Sequence, residues 1–330
     1  MWPMSGWMVE MRHPITRRLM LAAPVLAAAP ARAEEPWQSR PMRFIVPFTP
    51  GGPTDAVARI VTARLGEQLR TNIAVENVGG AGGALGMERL SRAAPDGLTI
   101  GLGTTGTHAI NRHLYANLAY DPVRGFTPLS TVIEHINMLV LRGDHPARNL
   151  AELLEAARRG TVTYGSAGNG SSNHLSGELL CSRAGVEMQH VPFRGSGPAL
   201  AEVLAGRIDF MFDTPAALAT VRGTNARVIA VTGLARHPLL PDAPPVAETI
   251  PGFEVVGWFG FFGPAGLPAP LADTLSTAVG RVVRDRETSE RLRALGLDPS
   301  AGTPQELAGR VAKDDALWGP VIQRAGLRVG

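Results

Sequence analysis

The sequence predicts an α/β protein of two lobes joined by two chain crossings. Three observations carry that expectation. Short β-prone runs alternate with amphipathic segments through most of the chain, the pattern of mostly parallel sheets flanked by helices. Gly/Ser-rich turns punctuate the places where a β-prone run gives way to a helix. The last third departs from the alternation: after one long apolar stretch only helices follow. These helices would lack a sheet of their own and are expected to return and cover the first lobe.

Residues 43–46 (RFIV) read as the first strand. The helix after them sets Val57, Ile60, Val61, Leu65 and Leu69 on one face, at the 3.6-residue period. NIAVEN (72–77), a helix around 84–93, LTIGLG (98–103) and a helix from about His108 continue the first lobe. MLVLR (138–142) precedes a helix over 150–158, and VTYG (162–165) precedes one over 173–183. A helix over 198–204, IDFMFD (208–213) and RVIAVTG (227–233) complete the second lobe. The apolar stretch 254–268 (EVVGWFGFFGPAGLP) leads to helices over 271–284, near Ser289 and over 304–325. Lobe I is therefore assigned to 34–140 plus 257–330 and lobe II to 141–256. The hinge crossings are expected near 139–142 and 255–258, the layout of a protein that closes by hinge motion.

The amino terminus reads as an export signal. Arg12, Arg17 and Arg18 precede an apolar stretch from Leu19 to about Pro30, which ends in Ala31-Arg32-Ala33. That is a secretory leader with an A-x-A cleavage site after Ala33, too short for a membrane span of about 20 residues. Residues 1–10 lack leader character, so translation is expected to start at Met11; Arg17-Arg18 leaves the Sec and twin-arginine routes both open.

Charge follows the leader. The chain carries +3 overall, and residues 1–33 hold four arginines against one acid. The mature chain is therefore balanced, 28 basic against 28 acidic residues. It has no electrostatic footprint for nucleic acid or anionic lipid. Cys181 is the single cysteine, which excludes an intramolecular disulfide, and its place beside Leu179 and Leu180 suggests a buried helix position.

Four strand-to-helix turns share one design: 49–55 (TPGGPTD), 103–107 (GTTGT), 165–172 (GSAGNGSS) and 194–197 (RGSG). Glycines let backbone approach a ligand, hydroxyls donate hydrogen bonds, and the helix that follows points its N–H groups and positive dipole end at the turn. Such turns also occur merely as caps; four of them at the carboxyl ends of strands, where open α/β sheets bind ligands, favour a site for a small anion. Its candidate residues are Phe48, Thr49, Gly51, Gly52, Thr54, Asp55, Thr105, Ser166, Gly168, Asn169, Gly170, Ser171, Ser172, His174, Arg194 and Asp213. Asp55 equally suits the first turn of its helix as a cap. Arg194 suits a bidentate carboxylate contact or plain solvent, Asp213 a ligand hydroxyl or amine or a backbone bond, and His174 a structural place in its helix.

Several chemistries are excluded by counting. Lys313 is the only lysine and follows Ala312, so there is no G-K-[ST] phosphate loop and no S-x-x-K acyl enzyme. No serine stands in G-x-S-x-G and no histidines in H-E-x-x-H. The glycine run 79–86 (GGAGGALG) opens a helix as a dinucleotide loop would, but Leu85 stands where the last glycine of G-x-G-x-x-G belongs, so helix packing is its expected use. No enzyme activity, cofactor or metal is expected.

PFTPGGPTDAVAR, GAGGALG, YGSAGNGSSNHLSGELL, VPFRGSGPALAEVLAGRIDFMFD and GWFGFFGPAGLP, in that order over about 38–330, resemble the Bug-type receptors of tripartite tricarboxylate transporters. The resemblance implies a type II periplasmic-binding-protein-like fold. It also implies a periplasmic receptor, acting as a monomer, that closes on a small carboxylate and delivers it to membrane permease subunits. In such receptors the loops matching 48–55 and 165–172 hold the carboxylate through N–H groups, hydroxyls and ordered water. A sensor feeding a two-component system is the alternative role. Dicarboxylates, tricarboxylates, aromatic acids, amino acids and nicotinate-like acids all remain open as ligands.

Overall fold

The computed structural model describes residues 40–324 and 326–328; the expected leader and its cleavage site lie outside the described residues. Strands β1 (Met42–Val46), β2 (Ile73–Asn77), β3 (Thr99–Thr104), β4 (Phe126–Ile136), β10 (Val256–Pro264) and β11 (Asp298–Pro299) form one sheet, in the order β11-β4-β10-β3-β1-β2. Strands β5 (Met138–Leu141), β6 (Thr163–Ser166), β7 (Gln189–Pro192), β8 (Phe210–Asp213) and β9 (Arg227–Val231) form the second, in the order β7-β6-β8-β5-β9. The helices are α1 (Pro53–Leu69), α2 (Ala84–Ser91), α3 (Asn111–Leu114), α4 (Leu150–Arg159), α5 (Ser172–Ala184), α6 (Ser196–Leu204), α7 (Leu218–Arg222), α8 (Ala269–Arg284), α9 (Arg286–Ala294) and α10 (Pro304–Arg324).

Both sheets are mixed, for one reason. Where strand–helix units alternate the strands pair in parallel, as β2-β1-β3 and β7-β6-β8 do. The strands that carry the chain between lobes enter from the other end and pair antiparallel: β10 with β3 and β4, β5 with β8 and β9.

α1 shows how sequence dictates an element. Pro53 opens it at a position whose N–H has no helical partner. Val57, Val61 and Leu65 recur on the face packed against the sheet and are all fully buried. Burying each is worth ~1.5–3 kcal/mol. Arg70 ends the helix in a left-handed conformation, φ 54°.

The first sheet packs its core around Phe44, Val46, Ile100, Leu102 and Phe261, with α1, α8 and α9 against it. The second buries Tyr164, Leu175, Phe210 and Phe212. α8 and α9 thus pack on the first sheet, while α10 does more. It packs on β4, and its Trp318 and Ile322 join the core around Tyr164.

The sheets change over at Asn137, between β4 and β5, and between β9 and β10. β5 belongs to the second sheet from Met138 onward. The first crossing therefore falls just ahead of the expected 139–142. The two crossings are tied together: Asn137 donates its N–H to Thr232 Oγ1 at 2.8 Å and accepts the Thr232 N–H at 2.8 Å. Thr232 Oγ1 in turn donates to the Val255 carbonyl at 2.7 Å.

Candidate functional site

A narrow cleft separates the carboxyl ends of the two sets of parallel strands. About 30 Å³ of it is open to the centre of a water-sized sphere. The first lobe contributes Phe48 from the β1–α1 loop, Pro53 and Thr54 at the start of α1, Thr104 at the end of β3, Thr105 and Gly106 just after it, His135 of β4, and Trp258 and Phe259 of β10. The second contributes Ala167 and Ser171 from the β6–α5 loop, Ser172 and Asn173 at the start of α5, Ser196 at the start of α6 and Thr214 after β8.

Helix N-termini dominate the electrostatics of this cleft. α1 and α6 begin on glycine N-caps, Gly52 and Gly195, and no side chain caps either. A Cβ built on Gly52 would stand 3.9 Å from Ser196 N and 4.0 Å from Gly197 N. Two helix starts, each equivalent to about half a positive charge, therefore face each other across the cleft. α5 adds a third start, capped by Ser171, whose Oγ accepts the His174 N–H at 3.3 Å and donates to the Gly168 carbonyl at 2.7 Å.

Among the described residues no lysine, arginine, aspartate or glutamate lines the cleft. Burial pushes the His135 imidazole down to about 4, against a weaker upward pull from the Ile136 carbonyl, so the ring is neutral. Thr214 Oγ1 is buried without a hydrogen-bond partner. The lining thus offers N–H groups and hydroxyls among apolar walls. It is suited to an anion of modest size.

Of the residues singled out from sequence, Phe48, Thr54, Thr105, Ser171 and Ser172 line the cleft. Thr105 also accepts the Trp258 N–H on its Oγ1 at 3.0 Å. The others stand behind it or along the rim. Gly52 is the N-cap of α1. Asp55 braces the β1–α1 loop from inside: Oδ2 accepts the Gly51 N–H at 3.1 Å and Arg59 Nε at 3.0 Å, and Oδ1 accepts Asn77 Nδ2 at 3.1 Å.

Ser166 and His174 brace the opposite loop. Ser166 Oγ accepts the Gly168 N–H at 3.0 Å and meets His190 Nε2 at 2.7 Å. His174 Nδ1 accepts the Gly170 N–H at 3.1 Å, and its ring stacks on His190 at 4.0 Å. Arg194 is exposed and presents its carbonyl, not its guanidinium, to the other lobe. Asp213 is buried directly behind Ser196 and Thr214.

The rim is closed by bare backbone. Thr49 donates its N–H to the Arg194 carbonyl at 3.3 Å. A Cβ on Gly82 would fall 1.8 Å from the Asn169 carbonyl oxygen, one on Gly106 2.4 Å from that of Gly170, and one on Gly195 2.4 Å from Thr49 Oγ1. The glycine run 79–86 therefore has two uses. Gly86 packs α2 against Pro47, as expected, whereas Gly82 serves the seam between lobes. Cys181 is half-buried on α5, where burial pushes its thiol up to about 12.

His135, Trp258 and Phe259 were not singled out from sequence. His135 lies on β4, whose pattern is broken by Pro128, Ser130, Thr131 and Glu134. Trp258 and Phe259 lie in the stretch read only as a crossing. Thr104, Gly106, Ala167 and Ser196 belong to turns that were recognised, although the individual residues were not.

Known proteins resemble the chain along most of its length. The model of the tripartite tricarboxylate transporter family receptor (TctC) matches residues 57–327. The periplasmic binding protein BugD is 33% identical with a TM-score of 0.83, over 88% of this chain and 99% of its own. R. palustris Rpa4515 with adipate is 33% identical with a TM-score of 0.86, over 89% and 100%. MatC (Rpa3494) from Rhodopseudomonas palustris with bound malate is 36% identical with a TM-score of 0.82, over 86% and 99%. Two lobes, a cleft between strand ends and these likenesses over nearly whole chains lead to one conclusion: the chain belongs to the tripartite tricarboxylate transporter receptor family, among its Bug-type periplasmic solute-binding receptors.

Proposed function

We propose that the protein, exported by its leader to the periplasm, captures a small organic acid between its lobes as a monomer and delivers it to tripartite tricarboxylate-type permease subunits. The observation that carries this reading is the convergence of the uncapped α1 and α6 starts on a cleft that, among the described residues, holds no cationic side chain. Facing positive dipole ends repel one another, and a carboxylate between them turns that repulsion into attraction. Adipate in Rpa4515 and malate in MatC support the acid as the ligand class.

A held carboxylate would be met by neutral N–H groups and hydroxyls, including the Thr54 and Ser172 hydroxyls. Phe48, Trp258 and Phe259 would enclose the carbon skeleton. Neutral donors give geometry without the strength of a desolvated arginine pair, which suits a carrier that must also release its cargo.

A thermal-shift screen of the chain from Glu34, refolded to strip carried-over ligand, tests the reading. Malate, adipate and a panel of mono-, di- and tricarboxylic and aromatic acids are compared with their amides. A ligand at 100 times its Kd stabilises by about 2.7 kcal/mol, or several degrees at roughly 2–4 °C per kcal/mol. The expected result is a shift with at least one acid and none with its amide. No shift across the panel from folded, ligand-free protein overturns the reading.

A further inference from the structure

Ser196 and Thr214 line the cleft, and the carboxyl of Asp213, the last residue of β8, stands behind both with the residue only 1% exposed. Oδ1 accepts the Thr214 N–H at 2.8 Å, and the Ser196 hydroxyl also donates to the carboxyl. Among the described residues no cation answers it. Of the elements packed against β8, β5 presents only apolar side chains, and the Tyr164 hydroxyl of β6 is turned to Glu178 at 2.5 Å. On α5, His174 and Glu178 face each other at 3.4 Å, Cys181 is a neutral thiol and Arg183 is exposed. On α6, Glu202 is held by Arg207. Across the cleft the one titratable lining group among the described residues is His135, which burial keeps neutral.

An anion drawn into this cleft therefore meets a second, unanswered carboxyl on the far side of two small side chains. Like charges in a shielded space disfavour each other, and the group that can give way is the one able to take a proton. We propose that the cleft takes up its anionic ligand together with one proton, and that Asp213 is the residue that carries the proton. Solvent supplies the proton on closure and receives it on release; no bond of the ligand changes.

Burial, opposed by the bonds from Thr214 and Ser196, already pushes Asp213 up to about 7 without a ligand. A nearby anion raises it further, so uptake is greatest just above neutrality. A ligand ammonium could answer the same charge, but Asp213 lies behind Ser196 and Thr214 rather than in the lining.

This inference rests on the carboxylate reading above, and calorimetry separates the two. The chain from Glu34 is titrated with malate, adipate and every acid scored in the thermal screen, at pH 7.5, in Tris and in HEPES, whose ionisation enthalpies differ. The dependence of the heat on buffer gives the protons taken up. The expected result is uptake approaching one proton per ligand, with affinity falling roughly tenfold per pH unit above 7. Asp213→Asn is expected to abolish the uptake and flatten the pH dependence.

Binding without proton uptake, or uptake that persists in Asp213→Asn, overturns the assignment while leaving the carboxylate reading intact. Binding of an amino acid that weakens in Asp213→Asn without any proton change assigns the charge to an ammonium and also overturns it. If no acid binds at all, the carboxylate reading falls and the inference with it. Should Asp213→Asn fail to fold, the buffer dependence and pH profile of the unaltered protein still decide the matter.

Discussion

Thr49 and Arg194 meet across the cleft, the N–H of the first donating to the carbonyl of the second at 3.3 Å. That contact leaves no room beside it: a Cβ on Gly195 would come within 2.4 Å of Thr49 Oγ1. Gly195 has φ 166°, extended backbone that any residue adopts. Gly195→Ala should therefore fold normally yet hold the lobes apart. We expect ligand affinity to fall at least about tenfold, or roughly 1.4 kcal/mol, with little change in the melting temperature of the free protein. Thr49→Ala in the same chain removes the obstructing hydroxyl and should restore most of the affinity. Calorimetry on the single and double variants checks both statements.

Asp55 gives a prediction about stability. Burial pushes its carboxyl up, but the Arg59 side chain, the Gly51 N–H and the Asn77 amide outweigh burial and hold it below the ordinary carboxylate value. A depressed group contributes stability above its unfolded pKa, near 4. That contribution is lost as pH falls through the folded value. Asp55→Ala leaves Gly51 N without its acceptor and Asn77 Nδ2 with only the Phe48 carbonyl, and should cost ~1–3 kcal/mol at pH 7. The deficit should shrink on acidification. Urea unfolding at pH 7 and pH 3 measures the difference, and an equal deficit at both would contradict the assigned bonds.

Asp213 gives the opposite sign. Its carboxyl is raised to about 7 in the folded chain, so the native state holds a proton that the unfolded chain has lost. The associated stability is complete below about pH 4, declines from there to about pH 7 and is gone above. Three pH units correspond to roughly 4 kcal/mol. In the absence of ligand, Asp213→Asn should be more stable relative to the unaltered protein at pH 8 than at pH 4. Denaturant midpoints at the two pH values report the change, and a constant offset would exclude a buried, proton-holding Asp213.

The architecture was legible because its signals are local and repeated. β1 and α1 announce themselves by an apolar run, a proline at the first helical position and a four-residue apolar spacing. β4 did not, because it is a strand whose neighbours excuse its polar residues. Ser130 Oγ donates to the Gly302 carbonyl at 2.7 Å, Glu134 accepts Arg310 Nη1 at 2.7 Å, and Pro128 lies beyond the short stretch that β11 pairs. All three partners are remote in sequence, and periodicity cannot see them. His135 was lost with its strand.

The site was legible as loops rather than as side chains. Phe48, Ser171 and Ser172 line the cleft because turns of this kind must present backbone and hydroxyls at strand ends. Whether a given polar residue faces the ligand or braces the loop depends on partners from other segments. Asp55 is engaged by Asn77, Ser166 by His190, and neither pairing is written in local sequence.

Small-angle scattering on ligand-stripped protein tests the central claim, that an anion between the facing starts of α1 and α6 closes the lobes. It is measured with and without an acid that scores in the thermal screen, and with the amide of that acid. The account predicts a smaller radius of gyration with the acid and an unchanged one with the amide. An unchanged radius with a saturating acid, or equal compaction by acid and amide, would contradict it.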